Sequence, residues 1–177
     1  MTARRVAALL AVSGALVAAC GRTTWPASDL PVVESVDLGR YLGRWYEIAS
    51  IPQWFQDGCS GSTANYALRT DGDIDVVNTC FKDGALDAAR GRAWVVDPET
   101  NARLKVEFVW PFAGDYWIVE LGPDYDYVVV GHPERTALWI LARRPRLDDR
   151  LYAGILERLV AVGYDVSRLV RGGHRPD

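Results

Sequence analysis

The chain has 177 residues, of which 49% are hydrophobic and 24% charged, and its formal net charge at pH 7 is −3. That length suits a single folded domain with a sizeable core. An acidic chain with only two lysines, Lys82 and Lys105, is a poor candidate for binding nucleic acid or an anionic membrane surface.

Residues 1–19 have the pattern of an export signal. Arg4 and Arg5 give a positively charged start, and the uncharged apolar run that follows is about 14 residues long, too short to span a bilayer as a helix. The run ends in Val17-Ala18-Ala19-Cys20, which resembles the lipobox of bacterial lipoproteins, whose cysteine is acylated before cleavage. We therefore expect Cys20 to carry a lipid anchor; an ordinary secretory signal is the alternative.

Cleavage before Cys20 would divide the chain into a signal peptide (1–19), a lipidated start with a tether (20–35) and a folded domain (36–177). Gly21 stands where an aspartate would favour retention in the inner membrane, so it predicts the outer membrane, facing the periplasm. The two arginines of the signal would be lost from the 20 basic residues, which leaves 18 against 23 acidic ones and a net charge of −5. Membrane contact is therefore expected through the lipid anchor rather than through surface charge.

The mature chain would keep two further cysteines. Cys59 and Cys80 form an even pair in an oxidising compartment, which predicts a disulfide; two free buried thiols are the alternative. Strand register raises an objection, because a hairpin turn at Asp71-Gly72 places Cys80 opposite residues 62 or 63. The bridge therefore requires the residues before the second strand to fold back.

Short β-like segments alternate with turn signals beyond the tether. The fifth segment has the clearest pattern, because apolar Leu104, Val106 and Phe108 alternate with Lys105 and Glu107. Eight such segments follow one another, at residues 44–50, 62–69, 74–81, 90–96, 103–110, 116–121, 127–133 and 137–144. Eight consecutive strands joined by short turns predict an all-β fold, an eight-stranded antiparallel up-and-down barrel able to hold one small ligand.

One amphipathic helix is predicted after the strands. Residues 147–165 carry apolar side chains at helical spacing, with two aspartates at the start and Gly163 as the expected end. The apolar face of this helix is expected to pack on the outside of the barrel. Residues 165–170 are expected to add a last short strand.

The order of these elements and three short motifs resemble the lipocalin family over residues 36–170, most closely its bacterial and apolipoprotein D-like branch. Gly43-Arg44-Trp45-Tyr46 matches the Gly-x-Trp-Tyr signature that opens the first strand of that family. Arg143 matches its late arginine, and residues 124–127 match its second conserved region loosely.

The resemblance implies a structural role for three residues at the closed end of the barrel. Trp45 would lie across this floor, and the guanidinium of Arg143 would pack over the indole ring in a cation–π contact. Gly43 would let the chain turn sharply into the first strand.

Strand alternation, starting from Trp45 and Arg143, sorts the other strand residues into an inner and an outer face. It does not decide between Tyr116 and Trp117 in the sixth strand, and Trp117 is assigned to the lining; Tyr66 is placed inside by the family match. The predicted ligand-binding residues are Glu47, Ala49, Tyr66, Val76, Asn78, Val106, Phe108, Trp117 and Trp139. Such a lining suits an amphipathic molecule with a long apolar body; a barrel filled by its own side chains is the alternative.

We therefore predict a membrane-anchored lipid-binding protein, not an enzyme, that serves lipid storage or transport in the cell envelope. The bacterial branch of the family implies a fatty acid, a lysophospholipid or a similar hydrophobic ligand. No cofactor and no metal are predicted, because His132 and His174 are interpreted as a loop and a tail residue rather than as haem ligands. A homodimer is left open.

Two other classes of protein are weighed against this prediction. A lipocalin-fold enzyme would act on a hydrophobic substrate through Cys80, but no histidine or lysine is found in the pattern to activate that thiol. A structural envelope lipoprotein would instead dock a protein partner. Trp54 and Phe55 in the first loop at the barrel mouth would suit that use or would form a lid that touches lipid.

Overall fold

The computed structural model describes residues 28–173, so the predicted signal peptide and Cys20 lie outside the described residues. This part of the chain forms one antiparallel sheet of nine strands, in which the pairing of β1 with β2 closes eight strands into a barrel. The strands are β1 (Gly43–Ser50), β2 (Ser60–Leu68), β3 (Ile74–Lys82), β4 (Ala85–Val95), β5 (Arg103–Val109), β6 (Phe112–Leu121), β7 (Tyr127–Gly131), β8 (Leu138–Ala142) and β9 (Val170–Arg171). The helices are α1 (Leu38–Tyr41) and α2 (Asp149–Ala161).

The predicted up-and-down barrel is confirmed. Each strand from β1 to β7 pairs antiparallel with the next one along the chain, and β8 pairs with β1. The connections therefore alternate between two ends of the barrel. The β1–β2, β3–β4, β5–β6 and β7–β8 connections lie at one end, called the open end here. The other three connections lie at the closed end, next to Trp45.

Two hairpins are longer than the sequence predicts. β4 begins at Ala85 and β6 at Phe112, several residues before the predicted starts at 90 and 116. The β3–β4 turn is reduced to Asp83 and Gly84, both with positive φ, and Lys82 already pairs with Ala85. These hairpin ends are exposed, so no buried face imposes the alternation by which strands are recognised in a sequence.

The β2–β3 turn also differs from the prediction. Of its central residues only Gly72 has positive φ, whereas a type I′ turn at Asp71-Gly72 would need positive φ at both. The amide of Arg69 donates to the carbonyl of Asp73, and the amide of Gly72 donates to the carbonyl of Arg69. The connection is therefore a longer loop in which one glycine supplies the left-handed residue.

The predicted helix corresponds to α2, which packs on the outside of the barrel. The carboxylate of Asp148 caps its first turn by accepting from the amides of Arg150 and Leu151, and Gly163 follows its end with φ +88°. Ile155 and Leu159 are fully buried in a cluster with the outer faces of β6, β7 and β8. Neither helix in residues 28–173 is long and apolar enough to cross a membrane.

The ends of the described chain lie against the same barrel. Leu30, in the segment predicted as a tether, is only 2% exposed and belongs to the cluster beneath α2. The amide of Val33 donates to the carbonyl of Ile118 in β6. At the other end, β9 pairs with the last residues of β1; the extra strand is present as predicted, but it covers Val170–Arg171 rather than residues 165–170.

The predicted disulfide joins Cys59 to Cys80. The residues before β2 fold back as the bridge requires, because the β2–β3 register shifts between Ser60 and Thr63. Gly58 and Gly61 both have positive φ at this point, which glycine adopts without steric penalty. The bridge ties the β1–β2 loop to the end of β3 at the open end of the barrel.

Replacing both cysteines with serine is expected to lower the free energy of unfolding by about 3 kcal/mol, because the bridge closes a loop across a sequence separation of 21 residues. Urea unfolding of the two proteins, followed by circular dichroism, measures this difference. Reductant should destabilise the wild-type protein and leave the variant unchanged. A difference below about 1 kcal/mol would contradict a stabilising bridge.

Candidate ligand-binding site

The closed end of the barrel is sealed by Trp45 and Arg143. Trp45 has no exposed surface, and the guanidinium of Arg143 lies 3.8 Å from the centroid of its ring, as the sequence motif predicts. The indole N–H donates to the carbonyl of Tyr41 at 2.8 Å, which fixes the ring against α1. Gly43 enters β1 with φ +91°, in the left-handed region that glycine favours.

An apolar pocket lies inside the barrel above this floor. The space inside it is small, about 10 Å³ for a water-sized molecule, so a longer ligand would require the lining side chains to move apart. The lining residues come from α1 and five strands; they are Tyr41, Tyr66, Ile74, Ala93, Leu104, Val106 and Tyr116. None of these side chains carries a charge at neutral pH, so the pocket suits an uncharged apolar group.

Three tyrosine hydroxyls meet at one side of the pocket. The hydroxyl of Tyr116 lies 2.6 Å from that of Tyr41 and 2.9 Å from that of Tyr66, so each hydroxyl has a hydrogen-bonding partner in the group. Burial raises the pKa of Tyr66 to about 12 and the pKa values of Tyr41 and Tyr116 well above 10. The three phenols therefore remain neutral at physiological pH.

Most of the predicted lining residues point into the barrel. Tyr66 and Val106 line the pocket, and Val76 belongs to the same interior cluster. Phe108 lies above Gly91: a β-carbon at position 91 would come within 2.6 Å of the carbonyl oxygen of Glu107 and 2.8 Å of the Phe108 ring. The small residue at position 91 therefore makes room for the aromatic ring on the next strand.

Two predicted lining residues were assigned to the wrong face. A bulge at Ile48 shifts the pairing of β1 with β8, so Ala49 points outward into the cluster beneath α2, and Ser50 takes the inward position. Trp117 also points outward, since it pairs with Arg103, whose guanidinium lies 4.8 Å from its ring centroid. Its neighbour Tyr116, opposite Leu104, is the inward residue of β6.

Five lining residues of the pocket are missing from the predicted set, namely Tyr41, Ile74, Ala93, Leu104 and Tyr116, and the first and last of these are the hardest to place from the sequence. Tyr41 belongs to the short helix α1, whose one sequence signal is Asp37 as a capping residue before it. Tyr116 was left undecided because the β5–β6 pairing contains a register shift between Glu107 and Val109, which breaks simple alternation.

Polar side chains gather in the upper part of the barrel, below the β1–β2 loop. The carboxylate of Glu47 accepts from the hydroxyl of Ser50 at 2.7 Å and from the amide of Gln56 at 2.9 Å. The same Gln56 accepts from the indole N–H of Trp139 at 3.1 Å. This polar network joins the β1–β2 loop to inward residues of β1 and β8.

Asn78 adds a polar group to the inner face of β3. It pairs with Ala64 on β2 and with Ala89 on β4. Its carbonyl oxygen is buried and accepts no hydrogen bond within the described part of the chain. A ligand hydroxyl that reached this level of the barrel would find an acceptor there.

The structure bears on the alternative of catalysis through Cys80. Its sulfur is bonded to Cys59, so the thiolate that a nucleophilic mechanism requires is not available in this form of the protein. Within residues 28–173 no group of three histidine, cysteine or acidic side chains is arranged to hold a metal ion.

A closed eight-stranded barrel with a sealed floor, an apolar interior and an outer helix defines a class of small-molecule-binding protein. The profile of the Lipocalin-like domain matches residues 36–173, and the chain belongs to the lipocalin family. Members of this family are in general binding proteins for small hydrophobic molecules rather than enzymes.

Individual relatives cover most of the chain. It is 37% identical to Outer membrane lipoprotein Blc of Escherichia coli (strain K12) over 162 residues, which cover 90% of this chain and 91% of that protein. It is 39% identical to Temperature-induced lipocalin-1 of Arabidopsis thaliana over 150 residues, with 80% and 81% of the two chains covered. Bovine Apolipoprotein D is 31% identical over 149 residues, with 78% and 77% covered.

The fold is also that of solved structures with little sequence similarity. Insecticyanin from the tobacco hornworm Manduca sexta superposes with a TM-score of 0.69 at 18% identity, covering 83% of this chain and 85% of that one. At this level of identity the similarity concerns the barrel and its outer helix alone.

Proposed function

We propose that this protein is an envelope lipoprotein that holds a lipid with one long acyl chain, a fatty acid or a lysophospholipid, for storage or transport. In this proposal residues 1–19 are removed, Cys20 carries the lipid anchor, and the protein is held at the outer membrane facing the periplasm. The observation that carries the ligand class is the apolar pocket inside the barrel.

The deep part of the barrel supports an acyl tail rather than a charged head. The pocket side chains are aliphatic or aromatic, and the hydroxyls of Tyr41, Tyr66 and Tyr116 are engaged with one another. A carboxylate at this depth would meet neither an arginine nor a lysine among the pocket residues, so its burial would be strongly unfavourable. A methylene chain gains about 0.8 kcal/mol for each buried group.

The upper part of the barrel supports a polar head group. Glu47, Gln56 and Trp139 form the polar network there, and Asn78 offers its carbonyl oxygen on the inner face of β3. The negative charge of Glu47 favours a zwitterionic or neutral head over a second carboxylate. Within the proposed ligand class, this favours a lysophospholipid over an ionised fatty acid.

The envelope location is supported by sequence and by relatives. Several relatives at 36 to 37% identity are named outer membrane lipoproteins, including those of Escherichia coli and Citrobacter freundii. Val17-Ala18-Ala19-Cys20 supplies the acylation motif in this chain, and Gly21 follows it.

The proposal is tested by native mass spectrometry of the domain that begins after Cys20, purified without detergent. We expect a bound lipid with one acyl chain, identified by organic extraction of the same sample, and the spectrum also gives the number of copies in the assembly. A protein that is purified empty, and that then fails to bind added lysophospholipid or fatty acid, would refute the carrier function.

A further inference from the structure

Large apolar side chains are exposed at the open end of the barrel. Trp54, Trp110 and Phe112 are 83%, 82% and 76% exposed, although such rings are usually buried in a protein interior or interface. We define the aromatic rim by its six residues, Trp54, Phe55, Phe81, Leu86, Trp110 and Phe112.

The rim residues come from three separate connections of the same end. Trp54 and Phe55 belong to the β1–β2 loop, and the other four flank the β3–β4 and β5–β6 turns. The disulfide of Cys59 with Cys80 ties the first of these segments to the second. The apolar side chains therefore lie around the entrance to the barrel, on three segments of which two are joined by the disulfide.

Two of the three rim segments lack charged residues, whereas the turn between Phe81 and Leu86 carries Lys82 and Asp83. Residues 51–56 and 108–114 contain no acidic or basic side chain. At the closed end, the β2–β3 loop carries Arg69, Asp71 and Asp73, and Arg69 is paired with Asp71 and Asp75. Tryptophan and phenylalanine on an uncharged tip are the side chains that enter the interfacial region of a bilayer.

The N-terminal segment enters the fold at the open end as well. The hydroxyl of Ser28 donates to the carbonyl of Pro133, and Asp29 pairs with Arg135, so the first described residues lie on the β7–β8 connection. Cys20 precedes Ser28 by eight residues, a stretch that spans at most about 28 Å when extended. If Cys20 is acylated, as proposed above, the anchor is confined to the side of the molecule where the aromatic rim lies.

We infer that the aromatic rim docks on the surface of a phospholipid bilayer, with the open end of the barrel facing the membrane. In this orientation a lipid passes between the bilayer and the pocket without its acyl chain crossing bulk water. The charged closed end faces away from the membrane.

The first test measures orientation on the anchored protein. The full acylated chain is reconstituted on phosphatidylcholine vesicles, with a fluorophore attached at a cysteine introduced by Trp110→Cys or, as the control, by Leu68→Cys. Leu68 is 61% exposed at the closed end. A nitroxide on the lipid head groups should quench the label at position 110 at least threefold more than the label at position 68. Equal quenching at the two positions would overturn the inference.

The second test separates the rim from the anchor. In the full chain with Cys20→Ser, the pair Trp110→Ser and Phe112→Ser should lower flotation with phosphatidylcholine vesicles at least tenfold, whereas Leu68→Ser, paired with Val160→Ser on α2, should leave it unchanged. Equal flotation of the two double variants would overturn bilayer docking and leave the rim to a protein partner. Lysophospholipid binding by both double variants is measured separately and tests the proposed carrier function, whereas loss of flotation by the rim variant alone supports the inference whether or not that function holds.

Discussion

Replacing Arg143 with alanine is expected to lower the free energy of unfolding by about 3 kcal/mol. The guanidinium stacks on Trp45 and also donates to backbone carbonyls at the closed end: Nη1 to Arg44 at 2.9 Å, and Nη2 to Arg40 and Tyr41 at 2.6 and 3.1 Å. Alanine would remove these donors; the carbonyl of Tyr41 would keep the indole N–H of Trp45, whereas those of Arg40 and Arg44 would lose the guanidinium. The substitution would also uncover one face of the fully buried indole.

The shape of the guanidinium, and not only its charge, is the predicted source of this stability. Arg143→Lys should therefore recover less than half of the loss, because an ammonium group is a point charge that cannot reach several carbonyls while stacking on the ring. The neighbouring Arg144 is exposed, so Arg144→Ala should change stability by less than about 0.5 kcal/mol. Urea unfolding of the four proteins gives the comparison, and a lysine variant as stable as the wild type would contradict the stacking argument.

The fold was predictable because several independent signals agree. Alternation in residues 103–110, turn residues between segments and the helical spacing after residue 147 each follow from local physics, and the closed barrel satisfies all of them. The floor was predictable for a different reason: Trp45 and Arg143 were recognised from a family motif, not from their spacing. Their contact joins residues almost a hundred positions apart, which no local pattern reveals.

The candidate site was less predictable, because alternation fails at bulges. A single extra residue at Ile48 reverses the faces of Ala49 and Ser50, and the shift near Phe108 left the choice between Tyr116 and Trp117 open. Both outward residues are buried, Trp117 beneath α2, so hydrophobicity does not separate the inner from the outer face on this side of the barrel. The inner and outer faces of a strand can be assigned from the sequence where one face meets water. Both faces of the strands beneath α2 are buried, so that signal is missing there.

The same consideration explains the rim. Leu86 and Phe112 were interpreted as turn residues because β4 and β6 begin on exposed hairpin ends without a buried face, whereas Phe81 and Trp110 were placed at the ends of the third and fifth strands. Only Trp54 and Phe55 were noticed in the sequence, as exposed residues at the mouth. The barrel topology was needed to bring Phe81, Trp110 and Phe112 to the same end.

Filling the pocket should weaken lipid binding about 100-fold while the barrel remains folded. Ala93 is buried on the inner face of β4, opposite Ile74 on β3 and Val106 on β5, so Ala93→Phe places a ring in the pocket. Displacing about four methylene groups of a bound acyl chain removes about 3 kcal/mol of binding free energy, which corresponds to about a 100-fold weaker affinity. Calorimetric titration with a lysophospholipid measures this change.

The matched control is Ala88→Phe, which adds the same ring to the exposed outer face of the same strand and should bind as the wild type does. Overpacking at position 93 is expected to reduce stability by about 1 to 3 kcal/mol, so urea unfolding must confirm that both variants are folded. If the folded Ala93→Phe protein binds with unchanged affinity, the acyl chain does not occupy the deep pocket. If it alone loses binding, the apolar space between Tyr66, Ala93 and Tyr116 is the tail site, because the two variants differ only in the face of β4 that carries the ring.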